Sequence, residues 1–309
     1  MNVLLWHVHG SWTTALVQGP HRYLLPVLPD RGPDGRGRAL TWEWPDSALE
    51  LAPAELGEAE IDAVILQRPE DFELARRWTG LCPGRDVPAI WVEHNAPQGR
   101  IEEMRHPAAD REGVHLVHVT HFNDLFWDAE ETPTTVIEHG IVDPGYRYTG
   151  ELAEAAVAIN EPRRRWRVTG TDLLPRLNGE VPLRLFGMKC AELGGVEDLP
   201  QGRLHDEMAR RRAYLHPIRW TSLGLSLLEA MHLGMPVVAL GTTEVAEAVP
   251  AAAGVVSTDV ETLSRGLREL IADPGLARER GLAAREAALE RYNLARFLAD
   301  WNELLEAVA

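Results

Sequence analysis

The chain has 309 residues, 45% of them hydrophobic and 25% charged, values ordinary for a globular protein and a length that suits two domains. Lysine and arginine number 31 against 47 aspartates and glutamates, a formal net charge of −16, which argues against a general nucleic-acid binder that must neutralise phosphates with many cations. Cys82 and Cys190 are far apart and have no metal or redox spacing, and no apolar run reaches the roughly 20 residues of a membrane span, so a cytoplasmic, reducing location is the expectation.

The opening MNVLLWHVHG has neither a cationic n-region nor a small-residue cleavage site, and reads as a first buried strand rather than a signal peptide. Short apolar runs occur at Val3–Val8, Ala63–Leu66, Ala89–Val92, His115–Val119 and Thr134–Ile137, with helical patterns between them at Glu70–Trp78 and Phe122–Trp127. Asp30–Arg38 is rich in Gly, Pro, Asp and Arg and reads as a loop. A second series follows the turn Asp143-Pro144-Gly145, with strands expected at Ala155–Ile159, Leu183–Phe186, Ala213–His216, Pro236–Ala239 and Gly254–Val256. Leu223–Leu233 and Val260–Ile271 carry apolar residues at helical spacing, and Gly275–Val308 reads as two closing helices broken near Tyr292-Asn293.

This alternation predicts two parallel α/β domains, residues 1–143 and 144–309, with the last helix able to pack back on the first. Ligands of such sheets bind outside the carboxyl ends of the strands, and two facing domains place a ligand in the cleft between them.

The segment from Arg219 to Val238 concentrates the chemical signal. A strand ends at Pro217, a loop follows, and Ser222 or Thr221 is expected to cap the next helix. The first N–H groups of that helix lack intrahelical partners and carry the positive end of its dipole, which suits a phosphate. Gly224 allows close approach to the backbone. Glu229 lies seven residues after Ser222, on roughly the same face, and its carboxylate leans back toward the helix start, within reach of a ribose diol. An acid among Leu227, Leu228, Ala230 and Met231 needs a partner. The bland alternative is an amphipathic helix with its acid in solvent.

TSLGLSLLEAMHLGMPVVAL resembles the nucleotide-sugar signature of family-4 glycosyltransferases, retaining enzymes of the GT-B fold, here of actinobacterial type. The resemblance implies that Glu229 holds the ribose hydroxyls and that Ser222, Leu223 and Gly224 cradle the diphosphate and donor sugar. Thr221 stands where the family's first Glu usually contacts the transferred sugar; it keeps one hydrogen-bonding group and drops the charge. Upstream, INEPRRRWRVTGTDLL resembles the segment whose Arg and Lys neutralise the departing diphosphate, with Arg164 on the Arg, Gly170 on the Gly and Thr169 in place of the Lys. Arg163, Arg165 or Arg167 could substitute, because guanidinium binds phosphate bidentately. The alternative for this cluster is a solvated basic face.

The first half resembles the family's acceptor domain more loosely. Gly10 sits in a loop after the first strand, with Ser11 or Thr13 placed to cap the next helix, and Gln67 occupies a position that several members fill with His. His94, at the end of the Ala89–Val92 strand, falls on a common family His and is a candidate polar group near the transferred sugar or acceptor; a structural loop His is the equal alternative. His7, His9, His115 and His118 read as packed side chains. Trp12, Trp42, Trp44 and Trp91 suit sugar stacking but more often fill cores. No helical His-x-x-x-His or Asp-x-Asp pattern is present, so no metal is expected.

The resemblance therefore implies a glycosyltransferase that moves a sugar from a nucleoside-diphosphate sugar to a hydroxyl of a small-molecule or glycan acceptor, with retention and with no cofactor besides the donor. The alternatives are a GT-B chain that binds a nucleotide sugar without transferring it, motivated by Thr221, Thr169 and Gln67, or another GT-B enzyme such as an epimerase or phosphorylase.

Overall fold

The computed structural model describes residues 1–309 and divides into two compact units, Met1–Gly140 with Leu294–Ala309, and Ile141–Asn293. The division falls three residues before Asp143, and the last helix belongs with the first unit. In that unit the elements run β1 (Asn2–Leu5), α1 (Gly10–Leu16), β2 (Arg22–Pro26), β3 (Ala48–Leu51), α2 (Pro53–Leu56), β4 (Ala63–Leu66), α3 (Pro69–Thr79), β5 (Ala89–Glu93), β6 (Val114–His118), α4 (His121–Phe126) and β7 (Thr134–Val136). The second unit contains β8 (Leu152–Ala158), α5 (Pro162–Arg165), α6 (Leu174–Asn178), β9 (Leu183–Phe186), α7 (Gln201–Ala209), β10 (Arg211–His216), α8 (Leu225–Leu233), β11 (Val237–Leu240), α9 (Val245–Ala248), β12 (Gly254–Ser257), α10 (Val260–Ala272) and α11 (Pro274–Arg291), and α12 (Leu294–Val308) returns to the first.

The first sheet is parallel, with strand order β3-β2-β1-β4-β5-β6-β7. Its central strands are continuous apolar runs because helices and loops cover both faces; all four residues of β4 are buried. The second sheet is also parallel, in the order β12-β11-β10-β8-β9. In each sheet the chain starts in the middle, adds strands to one side, then reverses to the other. The reversal lies between β1 and β4 in one unit and between β8 and β10 in the other, and such a switch point opens a crevice at the carboxyl ends of the strands.

Two strands, β2 and β3, go beyond the sequence reading; the first ends in a proline and the second is a short edge strand of ALEL. Elsewhere the helix ends follow local chemistry. Asp259 caps α10 by accepting from Glu261 N at 3.2 Å and Thr262 N at 3.0 Å, and Asp273 caps α11, which has Pro274 in its first turn. Helix α8 is apolar nearly all round and is buried from Leu227 to Leu233, as a helix inside a core must be. It stops at Gly234, whose φ of +87° suits the left-handed closing residue of a helix. Helix α12 packs Trp301 edge-on against Trp12, ring centres 5.6 Å apart, and Arg296 donates to the carbonyl of Glu138 at 3.0 Å.

Candidate functional site

The loops after β8 and β10 flank the crevice of the second unit, and they are fastened into one body. Arg219 N donates to Val168 O at 2.8 Å and Trp220 N to the same carbonyl at 3.2 Å. The Arg219 guanidinium grips both carboxylate oxygens of Asp172, with Nη2–Oδ2 at 2.8 Å, and this pairing holds the Asp172 carboxyl below its usual range. Gly170 has φ +69°, and a Cβ there would run into the Pro217 carbonyl, so close contact between the two loops needs glycine at this point.

Helix α8 begins at Leu225, with Gly224 as its cap residue and no side chain capping it. That corrects the expectation for Ser222 and Thr221. Ser222 is buried and its carbonyl accepts from Glu244 N at 3.4 Å; Thr221 is half-buried. Leu227 N donates to Gly224 O at 3.0 Å, and without a side-chain cap the N–H groups of Leu225 and Ser226 keep their donor capacity at the positive end of the helix dipole. Gly224 is confined by His216: an added Cβ would stand 3.0 Å from the ring Nε2 and closer still to Cε1. His216 is 1% exposed, neither ring nitrogen has a hydrogen-bond partner, and burial lowers its pKa to about 3, so it is a neutral imidazole against the start of α8.

Glu229 sits one turn into α8 and is 4% exposed. Its carboxylate accepts from Gln201 Nε2 at 2.9 Å and lies 3.3 Å from His205 Nε2. These partners come from one face of α7, four residues apart. They supply the compensation that an acid inside an apolar helix requires.

The arginine cluster does not act as one patch. Arg164 pairs with Glu161, which also holds Lys189 at 3.0 Å; Arg163 pairs with Glu192 at 2.8 Å; Arg167 lies 3.2 Å from Asp172. All three guanidiniums are largely exposed, so Arg164, the sequence candidate for diphosphate neutralisation, is tied to a surface carboxylate. Half-buried Arg165 has no ion-pair or hydrogen-bond partner for its guanidinium, and burial lowers its pKa. Thr169 is fully buried, with its hydroxyl 2.9 Å from that of Thr171 and 3.2 Å from Trp166 O. It shapes its own turn and does not stand in for the expected cation.

In the first unit, Gly10 and Gln67 lie on the two loops beside the β1–β4 switch point. Gly10 opens α1, where a Cβ would meet His7 Nε2 and Trp42 Nε1 at an ordinary 3.7 Å, so the protein itself does not demand glycine there. Helix α1 has no side-chain cap; instead of capping, Thr13 donates to His9 O at 2.9 Å. Gln67 is buried and donates through Nε2 to Trp6 O at 2.7 Å. His94 is 6% exposed; its ring centre lies 4.1 Å from that of His9 and 6.2 Å from that of His139, with Trp12 edge-on at 5.0 Å. Burial, reinforced by the two neighbouring histidines, drives its pKa well down, so its imidazole is neutral. No group of three or more His, Cys, Asp and Glu side chains converges to hold a metal.

Residues 196–287 match the family described as Glycosyl transferases group 1. The matched stretch holds Gln201, His205, His216, the α8 start and Glu229. Solved structures extend the likeness to the whole chain. Sucrose-phosphate synthase from Thermosynechococcus elongatus is 12% identical with a TM-score of 0.73 over 99% of this chain and 98% of its own. Alr3699/HepE from Anabaena, solved in complex with UDP, is 14% identical with a TM-score of 0.72 over 99% and 100%. AviGT4, a glycosyltransferase involved in avilamycin A biosynthesis, is 16% identical with a TM-score of 0.59 over 99% and 97%. The shared fold is GT-B. No curated protein sequence matches the chain. No helix is long and apolar enough to cross a membrane.

In the second unit, the sequence reading missed Gln201, His205, His216 and the Arg219–Asp172 clasp. Gln201 and His205 carry a legible signal, two polar groups at helical spacing in an apolar-backed segment. His216 is signalled only by its place, a polar residue ending a buried strand before proline.

Proposed function

We propose that the protein transfers a sugar from a nucleoside-diphosphate sugar to a hydroxyl of a small-molecule or glycan acceptor, with retention of anomeric configuration. The observation that carries this reading is Glu229, a buried carboxylate one turn behind an uncapped helix start at a topological switch point. The carboxylate suits a ribose diol, exchanging or sharing its Gln201 and His205 contacts, while the N–H groups at the start of α8 suit the diphosphate. Ser222, Leu223 and Gly224 supply the cradle, and Thr221 offers a neutral hydroxyl to the donor sugar.

Arg165 is the cation this reading favours for the leaving group, because it alone in the 163–167 cluster lacks a protein partner for its guanidinium. Arg164, Arg163 and Arg167 serve after exchanging their carboxylate partners for phosphate. In the first unit, neutral His94 offers a donor or acceptor to the reacting sugar or the acceptor. Catalysis is positioning together with electrostatic relief of the departing diphosphate. The structural relative solved in complex with UDP supports a uridine nucleotide as the first donor to try.

The test is a thermal-shift screen of uridine, guanosine, adenosine and thymidine diphosphates and their sugars on the whole chain. Ligand at a hundred times its dissociation constant stabilises by about 2.7 kcal/mol. Glu229→Ala is expected to abolish that shift; an unchanged shift puts the nucleotide elsewhere. Binding without diphosphate release, with any acceptor, favours the non-transferring alternative.

A further inference from the structure

A cavity of about 330 Å³ opens in the second unit, between α6 and the strands β8 and β9. Its cause is a shortage of helix. Helix α6 has five residues, about 7.5 Å of rise, whereas β9 alone runs about 13 Å. The helix is too short to cover the strands on either side of it, and Val157, Leu183 and Leu185 are left lining the gap. Val157 and Leu185 are register partners, and Leu183 shares the face of Leu185, so the three form one apolar patch of sheet. Val157 is fully buried and Leu185 nearly so, which makes them the floor. Trp166 and Leu193, 45% and 36% exposed, stand at the mouth.

This space is separate from the crevice that holds Glu229. Helix α6 leads from β8 out to β9, and α7 leads from β9 back past β8 to β10. Right-handed crossovers running in opposite directions lie on opposite faces of a sheet. The cavity is therefore on the face turned away from α7 and α8, where Gln201 meets Glu229. Its lining narrows the occupant. None of the lining side chains is charged. The Thr171 hydroxyl already lies 2.9 Å from that of Thr169, and exposed Asn178 accepts from Leu183 N at 3.0 Å. An ion would lose hydration there without return, and water would find too few partners. What the walls offer is dispersion contact and a flat aromatic face. Trp166 is fixed at the mouth by its backbone, whose φ of +23° a bulky residue seldom adopts; its carbonyl accepts from Thr171 N at 2.9 Å and Thr169 Oγ1 at 3.2 Å. An apolar cavity of about 150 Å³ holds one benzene, so this one has room for roughly two fused rings.

We propose that this cavity binds a neutral, apolar molecule of about two fused rings, on the sheet face opposite the nucleotide crevice. The experiment is a fluorescence titration of the whole chain with 1-naphthylamine, uncharged at neutral pH, and with 1-naphthylamine-5-sulfonate as its anionic counterpart. The neutral probe is expected to bind saturably and more tightly than the sulfonate, and saturating UDP is expected to leave its titration unchanged. Leu183→Trp, which fills the cavity from its wall, is expected to weaken the neutral probe about fivefold or more. Leu193→Glu, which puts a charge at the exposed mouth, is expected to do the same and gives a second reading if Leu183→Trp folds poorly. Absence of saturable binding, binding that both substitutions leave unchanged, or equal binding of the sulfonate each overturns the proposal. Displacement of the probe by UDP overturns it too, because the cavity would then belong to the nucleotide site. A dimer in sedimentation that Leu193→Glu dissociates gives the cavity to a second copy and overturns the small-molecule reading. A chain that ignores every nucleotide but binds the naphthylamine overturns only the donor reading.

Discussion

Replacing Gly224 with alanine tests why the start of α8 is built as it is. The backbone at Gly224, φ −73° and ψ 118°, is open to any residue, so the cost is steric. The new Cβ would lie 3.0 Å from His216 Nε2 and closer to Cε1, where ordinary contact begins at 3.4 Å. His216 is fully enclosed and its ring has no free space to enter, so the helix start or the imidazole must move. Overpacking of this kind costs about 1–3 kcal/mol, which for a unit spanning Ile141–Asn293 lowers the unfolding midpoint by roughly 2–12 °C. Displaced N–H groups also lose aim on the diphosphate; one charge-assisted hydrogen bond is worth about 1.5–3 kcal/mol, or about a tenfold to hundredfold loss in UDP affinity. The assay is a double-mutant cycle with His216→Ala, scored by thermal unfolding and by UDP titration. Removing the ring makes room, so Gly224→Ala in that background is expected to cost less than in the wild type, with a coupling of about 1 kcal/mol or more. A Gly224→Ala protein with unchanged midpoint and affinity, or a cycle that is strictly additive, refutes the argument.

Arg165→Gln is expected to raise the KM for the donor and lower kcat by about tenfold or more, as loss of a transition-state charge contact does, while Arg164→Gln changes both by less than about threefold; equal effects in steady-state kinetics would contradict the distinction drawn from their partners. Gly170→Ala forces a left-handed backbone and a clash with the Pro217 carbonyl, so its unfolding midpoint in urea should fall by more than that of Gly202→Ala, where a Cβ meets nothing. Acid should weaken the fold early. His216 and His139 are held near about 3 and His118 near about 4, chiefly by burial, against 6.5 when unfolded. Above 6.5 they are neutral in both states and stability is insensitive to them; below it the unfolded chain takes up protons that the fold refuses, so stability falls as pH drops, each histidine adding up to about 1.4 kcal/mol per unit. Urea midpoints should be flat from about pH 8 to about 7 and decline towards about 5, before the carboxylates begin to titrate; a flat profile to about 5 would show that these rings are solvated.

Much of the architecture was legible because parallel strands covered on both faces leave continuous apolar runs. Ala63–Leu66 and Leu183–Phe186 have the same limits in sequence and structure. The strand Arg22–Pro26 was hidden by its terminal proline and the edge strand Ala48–Leu51 by its mixed, partly exposed pattern. Local periodicity placed Glu229 on a helix among apolar residues, but not its partners, which come from α7 across a long-range contact. Capping chemistry failed at Ser222 and Ser11 for one reason: both helices start at crevice edges, where the chain leaves N–H groups without side-chain caps. Pairing within the arginine run was not legible because sequence gives charge without partners; Glu161, Glu192 and Asp172 take up three of the guanidiniums that spacing alone left free.

The scattered sequence signals have one physical origin. A parallel sheet satisfies its own backbone groups, and the groups left over gather where strands end and helices begin. Each unit starts in the middle of its sheet, so the loop after the first strand meets the loop after the strand added on reversal. Gly10 and Gln67 come from one such pair of loops, and the segments 163–170 and 217–224 from the other. Polar residues brought to these edges are buried by neighbouring loops yet cannot all be answered by protein, as His216 shows in one unit and Gln67 in the other. The second unit offers a helix start and a buried carboxylate, which suit the anions and diol of a nucleotide.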